Sequence, residues 1–121
     1  MTSKLFFDTY AIIETLKGNQ NYAQFEDSEI VINNFVFAEL CYNLHREKDK
    51  RVNEYLTNYA KHITSVKPEW IEEAMQFRLK WKNRGVSITD CIGYIMAKKL
   101  SIPFLTGDKE FEKLENVEFV K

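Results

Sequence analysis

The stretch Lys4-Leu-Phe-Phe-Asp-Thr-Tyr-Ala-Ile-Ile13 constrains this chain more than any other. Leu5, Phe6 and Phe7 run together without a polar break, the pattern of a strand buried on both faces inside a parallel sheet. Asp8 follows at once. Behind it Tyr10, Ile12, Ile13 and Leu16 recur at helical spacing across residues 9–17, and Lys17-Gly18 reads as the C-cap. An acid therefore stands where a buried strand ends and a helix begins. In open α/β sheets that carboxyl edge is where ligands bind.

The alternation continues to the last residues. A short helix is expected within 19–26 and a β-branched strand over 29–32. Asn33 and Asn34 offer an N-cap to a helix over 34–47. That helix is apolar nearly all round, and Glu39 is its only charge before His45. Val52, Tyr55, Leu56, Tyr59 and Ile63 mark an amphipathic helix, and residues 64–66 read as a short strand. Pro68 opens a further helix with Trp70, Ala74, Phe77 and Trp81 on one face, ended by Gly85. Ser87 begins the last long helix, which runs to about residue 100. Residues 103–106 read as a strand, 111–114 as a helical turn and 117–120 as an edge strand. The expected architecture is α/β: one domain over 1–121, a mainly parallel sheet of four to five strands, and helices on both faces.

The chain has 121 residues, which suffices for one core. Its 45% hydrophobic and 14% aromatic content argues against disorder. No uncharged stretch exceeds nine residues, too short to span a membrane, and Lys4 and Asp8 interrupt any signal-peptide core. Cys41 and Cys91 both lie in apolar helical patterns and read as reduced core thiols, so a cytoplasmic location is expected. A net charge of −1 argues against binding nucleic acid by bulk charge alone, though a local basic groove remains compatible with it.

Four acids stand out: Asp8, Glu39, Asp90 and Asp108. Three have ordinary readings as helix caps. Asp8 precedes a helix, Ser87-x-x-Asp90 fits a capping box, and Asp108 follows Gly107 at a turn. Glu39 is harder to dismiss, because a carboxylate within an apolar helix face is costly to bury unless paired or bound to metal. The conjunction matters more than any one of them, since three fall at strand-to-helix junctions or helix starts and Glu39 within the first turns of the helix after the second strand, positions that share one sheet edge. Carboxylates gathered there repel unless cations sit among them. Oxygen donors without His or Cys suit Mg²⁺ or Mn²⁺, ions that activate water and stabilise a phosphodiester in transit.

Asp8 in LFFDTYAII, Glu39 in FVFAELCYNL, Asp90 in SITDCIGYIMAKKL and Asp108 in IPFLTGDKEFEKL resemble the four acidic motifs of PIN-domain nucleases. Order, spacing and length are similar to the small PIN ribonucleases, of which the VapC-like toxins of toxin–antitoxin pairs are the largest group. The resemblance covers essentially the whole chain. It implies metal-dependent hydrolysis of RNA, with the four acids as both catalytic and metal-binding residues and Mg²⁺ or Mn²⁺ as cofactor. It also implies a homodimer and a small antitoxin partner. Thr106 matches a hydroxyl position beside the fourth acid. Tyr10 departs from the pattern, which commonly has Ser or Thr two places after the first acid. Glu110 stands where some relatives carry a fifth acid, and here it reads as surface charge.

Arg78, Lys80, Lys82 and Arg84 fall within seven residues that hold no acid. They complement the dipole of a helix opened by Glu69, Glu72 and Glu73, or else they hold RNA phosphates. Among other classes, a phosphoacceptor receiver would need adjacent acids at the end of strand one, where Phe7 and Thr9 flank Asp8. A haloacid-dehalogenase-type phosphatase would need an acid at Tyr10. The remaining alternatives are a PIN nuclease for RNA processing and a non-catalytic PIN-like interaction module, which would be expected to lose acids that this chain keeps.

Overall fold

The computed structural model describes residues 3–81 and 85–121. Its frame is a four-stranded sheet in the order β2-β1-β3-β4, parallel at every pairing. The strands are β1 (Lys4–Phe7), β2 (Glu29–Val31), β3 (Phe104–Thr106) and β4 (Val117–Phe119). Between them run α1 (Thr9–Leu16), α2 (Asn34–Arg46), α3 (Val52–Ala60), α4 (Pro68–Lys80) and α5 (Ile88–Lys99). Short 3₁₀ turns cover Gln20–Phe25 and Lys109–Phe111. The α/β class and the parallel sheet agree with the sequence reading.

β1 is central, and all three of its apolar residues are buried. Phe6 meets α5, where Gly93 lets the helix come so close that a Cβ would lie 2.8 Å from the Phe6 ring. Leu5 and Phe7 alternate to the other side of the pleat and are buried as well, so helices cover both faces. The aromatic excess is largely absorbed in one cluster, with Phe104, Phe111 and Tyr94 packed at ring separations of 5.3–5.8 Å. Among the described residues, no helix is long and apolar enough to cross a membrane.

Several local expectations need correction. Residues 64–66 are not a strand. The sheet edge is instead prolonged by one parallel bridge between Ile32 and Ile63, with Thr64 N–H donating to the Ile32 carbonyl at 2.8 Å. α4 ends at Lys80 with Trp81 as its cap, before Gly85 is reached. α2 is apolar in sequence but buries only Val36, Leu40 and Leu44, while Phe35 and Tyr42 are exposed. Cys91 is a buried thiol as expected, whereas Cys41 is only half-buried.

Candidate active site

Strand order reverses direction at β1, with β2 on one side and β3 on the other. A crevice at the carboxyl ends of β1 and β3 follows from that topology. Asp8 and Asp108 lie just beyond those two strand ends. α2 and α5 bring Glu39 and Asp90 to the same place, and all four acids line one cavity of about 500 Å³.

Asp8 is the buried member, 2% exposed. It caps α1, its Oδ1 accepting from Ala11 N–H at 2.8 Å, while Oδ2 accepts from the Thr106 hydroxyl at 2.5 Å. Thr106 in turn accepts from Asp108 N–H at 3.0 Å, so one buried hydroxyl ties the first acid to the backbone of the fourth. Glu39 is half-buried and accepts from the Thr9 hydroxyl at 2.7 Å. That corrects the premise of a carboxylate sunk in an apolar helix face. Ser87 caps α5, its Oγ accepting from Asp90 N–H at 3.0 Å, and its side chain also hydrogen-bonds the Asp90 carboxyl, which still lines the cavity. Asp108 Oδ1 accepts from Glu110 N–H at 3.0 Å. The capping readings of Asp8 and Asp108 are thus correct as local structure, and they coexist with convergence on the cavity.

The carboxylates act on one another through space. Burial, and then the charge of Asp90, push the Asp8 carboxyl up to about 8, against the lowering effect of the Thr106 and Ala11 hydrogen bonds. Burial, with Glu39 and Asp108, raises Asp90 to about 7. Every acid of the set figures in these shifts. Carboxylates pushed upward together in a cleft are the electrostatic signature of a site built for a cation or a proton.

The donor set is all oxygen, with the Thr9 and Ser87 hydroxyls beside the carboxylates, and by chemistry it fits a hard divalent ion. Among the described residues, no three His, Cys, Asp or Glu side chains are gathered tightly enough to hold an ion as they stand. Each acid accepting a bond is instead occupied by a protein N–H or hydroxyl, which offsets part of the mutual repulsion.

Other groups at the cavity escaped the sequence reading. Lys109 and Lys121 also line it. Lys121 Nζ donates to the Gly107 carbonyl at 3.0 Å and lies 5.2 Å from the centre of the Tyr10 ring. Tyr10 in turn covers Gly107, where a Cβ would come within 2.1 Å of the ring. A glycine before an acid was the one visible hint. Of the basic residues singled out on α4, Arg78 is half-buried and donates to the Val86 carbonyl at 3.1 Å, and Lys80 is exposed at the helix end. Neither lines the acid cavity. Lys82 and Arg84 lie outside the described residues. Glu110 also lies outside that lining, half-buried at the 3₁₀ turn.

A second cavity of about 420 Å³ lies between α1 and the end of α2, lined by Ile13, Leu16 and Leu44 with charges of both signs. It lacks the convergent, perturbed carboxylates that single out the first.

Comparison with known proteins agrees with this architecture. Among curated proteins none matches. Solved structures share the fold at low identity. A toxin–antitoxin complex from Klebsiella pneumoniae aligns at TM-score 0.74 and 18% identity, covering 94% of this chain and 95% of the other. VapC20 of Mycobacterium tuberculosis, a toxin that cleaves the sarcin-ricin loop, aligns at 0.73 and 18%, covering 97% and 99%. VapBC2 of Rickettsia felis, bound to a DNA fragment from its promoter, aligns at 0.71 and 17%, covering 98% and 99%. The model of the PIN domain matches residues 5–117, a span holding all four acids and every strand except the first residue of β1 and the last two of β4. With that match added to the sheet order and the acidic cavity, the chain belongs to the PIN-domain family.

Proposed function

We propose that this protein is a divalent-metal-dependent endoribonuclease that hydrolyses RNA phosphodiester bonds at the four-acid cavity. The observation that carries the reading is the convergence of Asp8, Glu39, Asp90 and Asp108 on one cleft, where burial and mutual charge raise Asp8 and Asp90. Asp8 and Asp90 would hold Mg²⁺ or Mn²⁺ directly, with Glu39 and Asp108 completing or orienting the set. Such an ion, when bound, supplies positive charge to the phosphodiester and makes a water acidic enough to attack it.

The chain's own groups do the rest. Thr106 holds Asp8 in one orientation, and Thr9 does the same for Glu39, which limits the rearrangement left for the moment of binding. Attack of water on phosphorus, in line with the departing 3′ oxygen, breaks the P–O3′ bond. It leaves a 5′-phosphate on one fragment and a 3′-hydroxyl on the other.

The structural likeness to toxin–antitoxin complexes supports a role as the toxin of such a pair, with a small antitoxin as protein partner; a homodimer is the working form that the family resemblance implies. Purified protein given single-stranded RNA should cut it with Mn²⁺ and stop in excess EDTA, and the new ends should be 5′-phosphates. Equal cleavage in EDTA overturns the metal-dependent reading. No cleavage under any divalent ion favours the non-catalytic module.

A further inference from the structure

The lysine at the rim of the acid cavity is positioned in a way that plain surface charge does not require. The segment that carries it is fixed from several directions: Val120 N–H donates to the Thr106 carbonyl at 2.9 Å, Tyr22 OH to the Val120 carbonyl at 2.6 Å, and Asn21 Nδ2 to the main-chain oxygen of Lys121 at 3.0 Å. The ammonium rests on two neutral supports, the Gly107 carbonyl and the Tyr10 face. No carboxylate among the described residues forms an ion pair with it. An ammonium carries three donors, so at least one remains for a further acceptor.

That seat depends on two residues of this chain. The Tyr10 ring fits there only because position 107 lacks a Cβ. Tyr10, Gly107 and Lys121 form one interlocked unit at the mouth of the cavity. An RNA entering a cleft of four carboxylates brings a negative charge with every nucleotide. Divalent ions balance the carboxylates, and the phosphates still need a cation at the entrance.

We propose that Lys121, seated on Tyr10 and Gly107, is the positioning residue that holds a substrate phosphate at the rim of the four-acid cavity, an assignment that rests on the ribonuclease reading. Lysine acts here as a point charge, so it sets how tightly RNA is held without selecting a base.

The test is steady-state cleavage of a fluorescent single-stranded RNA with Mn²⁺ at several salt concentrations, using the parent, Lys121→Gln, Lys121→Arg and Tyr10→Leu. Lys121→Gln should raise KM about threefold to tenfold and flatten the salt dependence of kcat/KM by about one in slope, with kcat nearly unchanged. Lys121→Arg should restore KM. Tyr10→Leu should raise KM in the parent and have little further effect in the Lys121→Gln background, because the two act as one unit. A Lys121→Gln enzyme with parental KM and salt slope overturns the assignment. So does a loss of melting temperature and kcat at constant KM, which would make Lys121 a tie for the end of β4 alone. An inactive parent fails the ribonuclease reading itself, a result distinct from either.

Discussion

Asp90→Asn separates a site that gathers charge from a set of helix caps. The backbone bond from residue 90 to Ser87 Oγ, 3.0 Å long, survives the change, and α5 keeps its cap. What is lost is one ionisable group raised from 3.8 to about 7. A carboxyl whose folded pKa lies above its unfolded one keeps its proton over a window in which the unfolded chain has already released it. The folded state therefore loses stability as pH rises from about 4 to about 7. At about 1.4 kcal/mol for each tenfold change, the upper limit is about 4 kcal/mol, and the open mouth of the cleft reduces it to about 1–2 kcal/mol. In EDTA at pH 8, Asp90→Asn should thus melt about 4–8 °C above the parent, and at pH 4 the gap should close. Mn²⁺ at a hundredfold its Kd should add about 2.7 kcal/mol to the parent and little to the variant. Differential scanning calorimetry at both pH values, with and without metal, reads all of this. Equal melting points at pH 8 in EDTA, or equal metal-induced shifts, would refute the reasoning.

Thr106→Val keeps the shape and removes the hydroxyl that bridges Asp8 and Asp108. It should cost about 1–3 kcal/mol in urea unfolding, raise the Asp8 pKa further, and weaken Mn²⁺ binding about tenfold or more by calorimetric titration. Gly107→Ala should destabilise the parent by about 1–3 kcal/mol, because its Cβ would collide with Tyr10. In a Tyr10→Ala background the same change should be nearly neutral, and a double-mutant cycle measures the coupling.

Much of this molecule can be read from local pattern, and the exceptions share a cause. The strand ends before Asp8 and Asp108, the Asn33 and Ser87 caps and the Pro68 helix start are written within a few residues of one another, so periodicity and turn chemistry find them. Thr106 is legible only through the family resemblance, which places a hydroxyl beside the fourth acid. Glu39 was singled out for a reason that fails, because its partner Thr9 lies 30 residues away and pattern along one helix cannot reveal it. The bridge at Ile63 depends on what lies beside β2, which the sequence of residues 64–66 does not reveal. Lys121 was invisible for the same reason, since Gly107 and Tyr10 meet it only in the folded chain.

Asp8 serves two masters, the start of α1 and the cleft. Its Oδ1 already holds Ala11 N–H, and Thr106 meets its other oxygen in a fully buried setting. Glu39 and Asp90 are half-buried, and their carboxylates bond only the side chains of Thr9 and Ser87, so less of the fold hangs on them. Point mutations that silence this protein in a growing population therefore divide by mechanism. On the ribonuclease reading, losses at Glu39 or Asp90 should leave a folded but inert protein. Losses at Asp8 should also destabilise the fold and lower its abundance, because Ala11 N–H and the buried Thr106 hydroxyl lose their acceptor. Asn is the exception there, since it keeps the cap. On that reading inactivation is uneven: substitution of a half-buried acid should leave a dead protein that persists, and substitution of the buried one a protein that is lost.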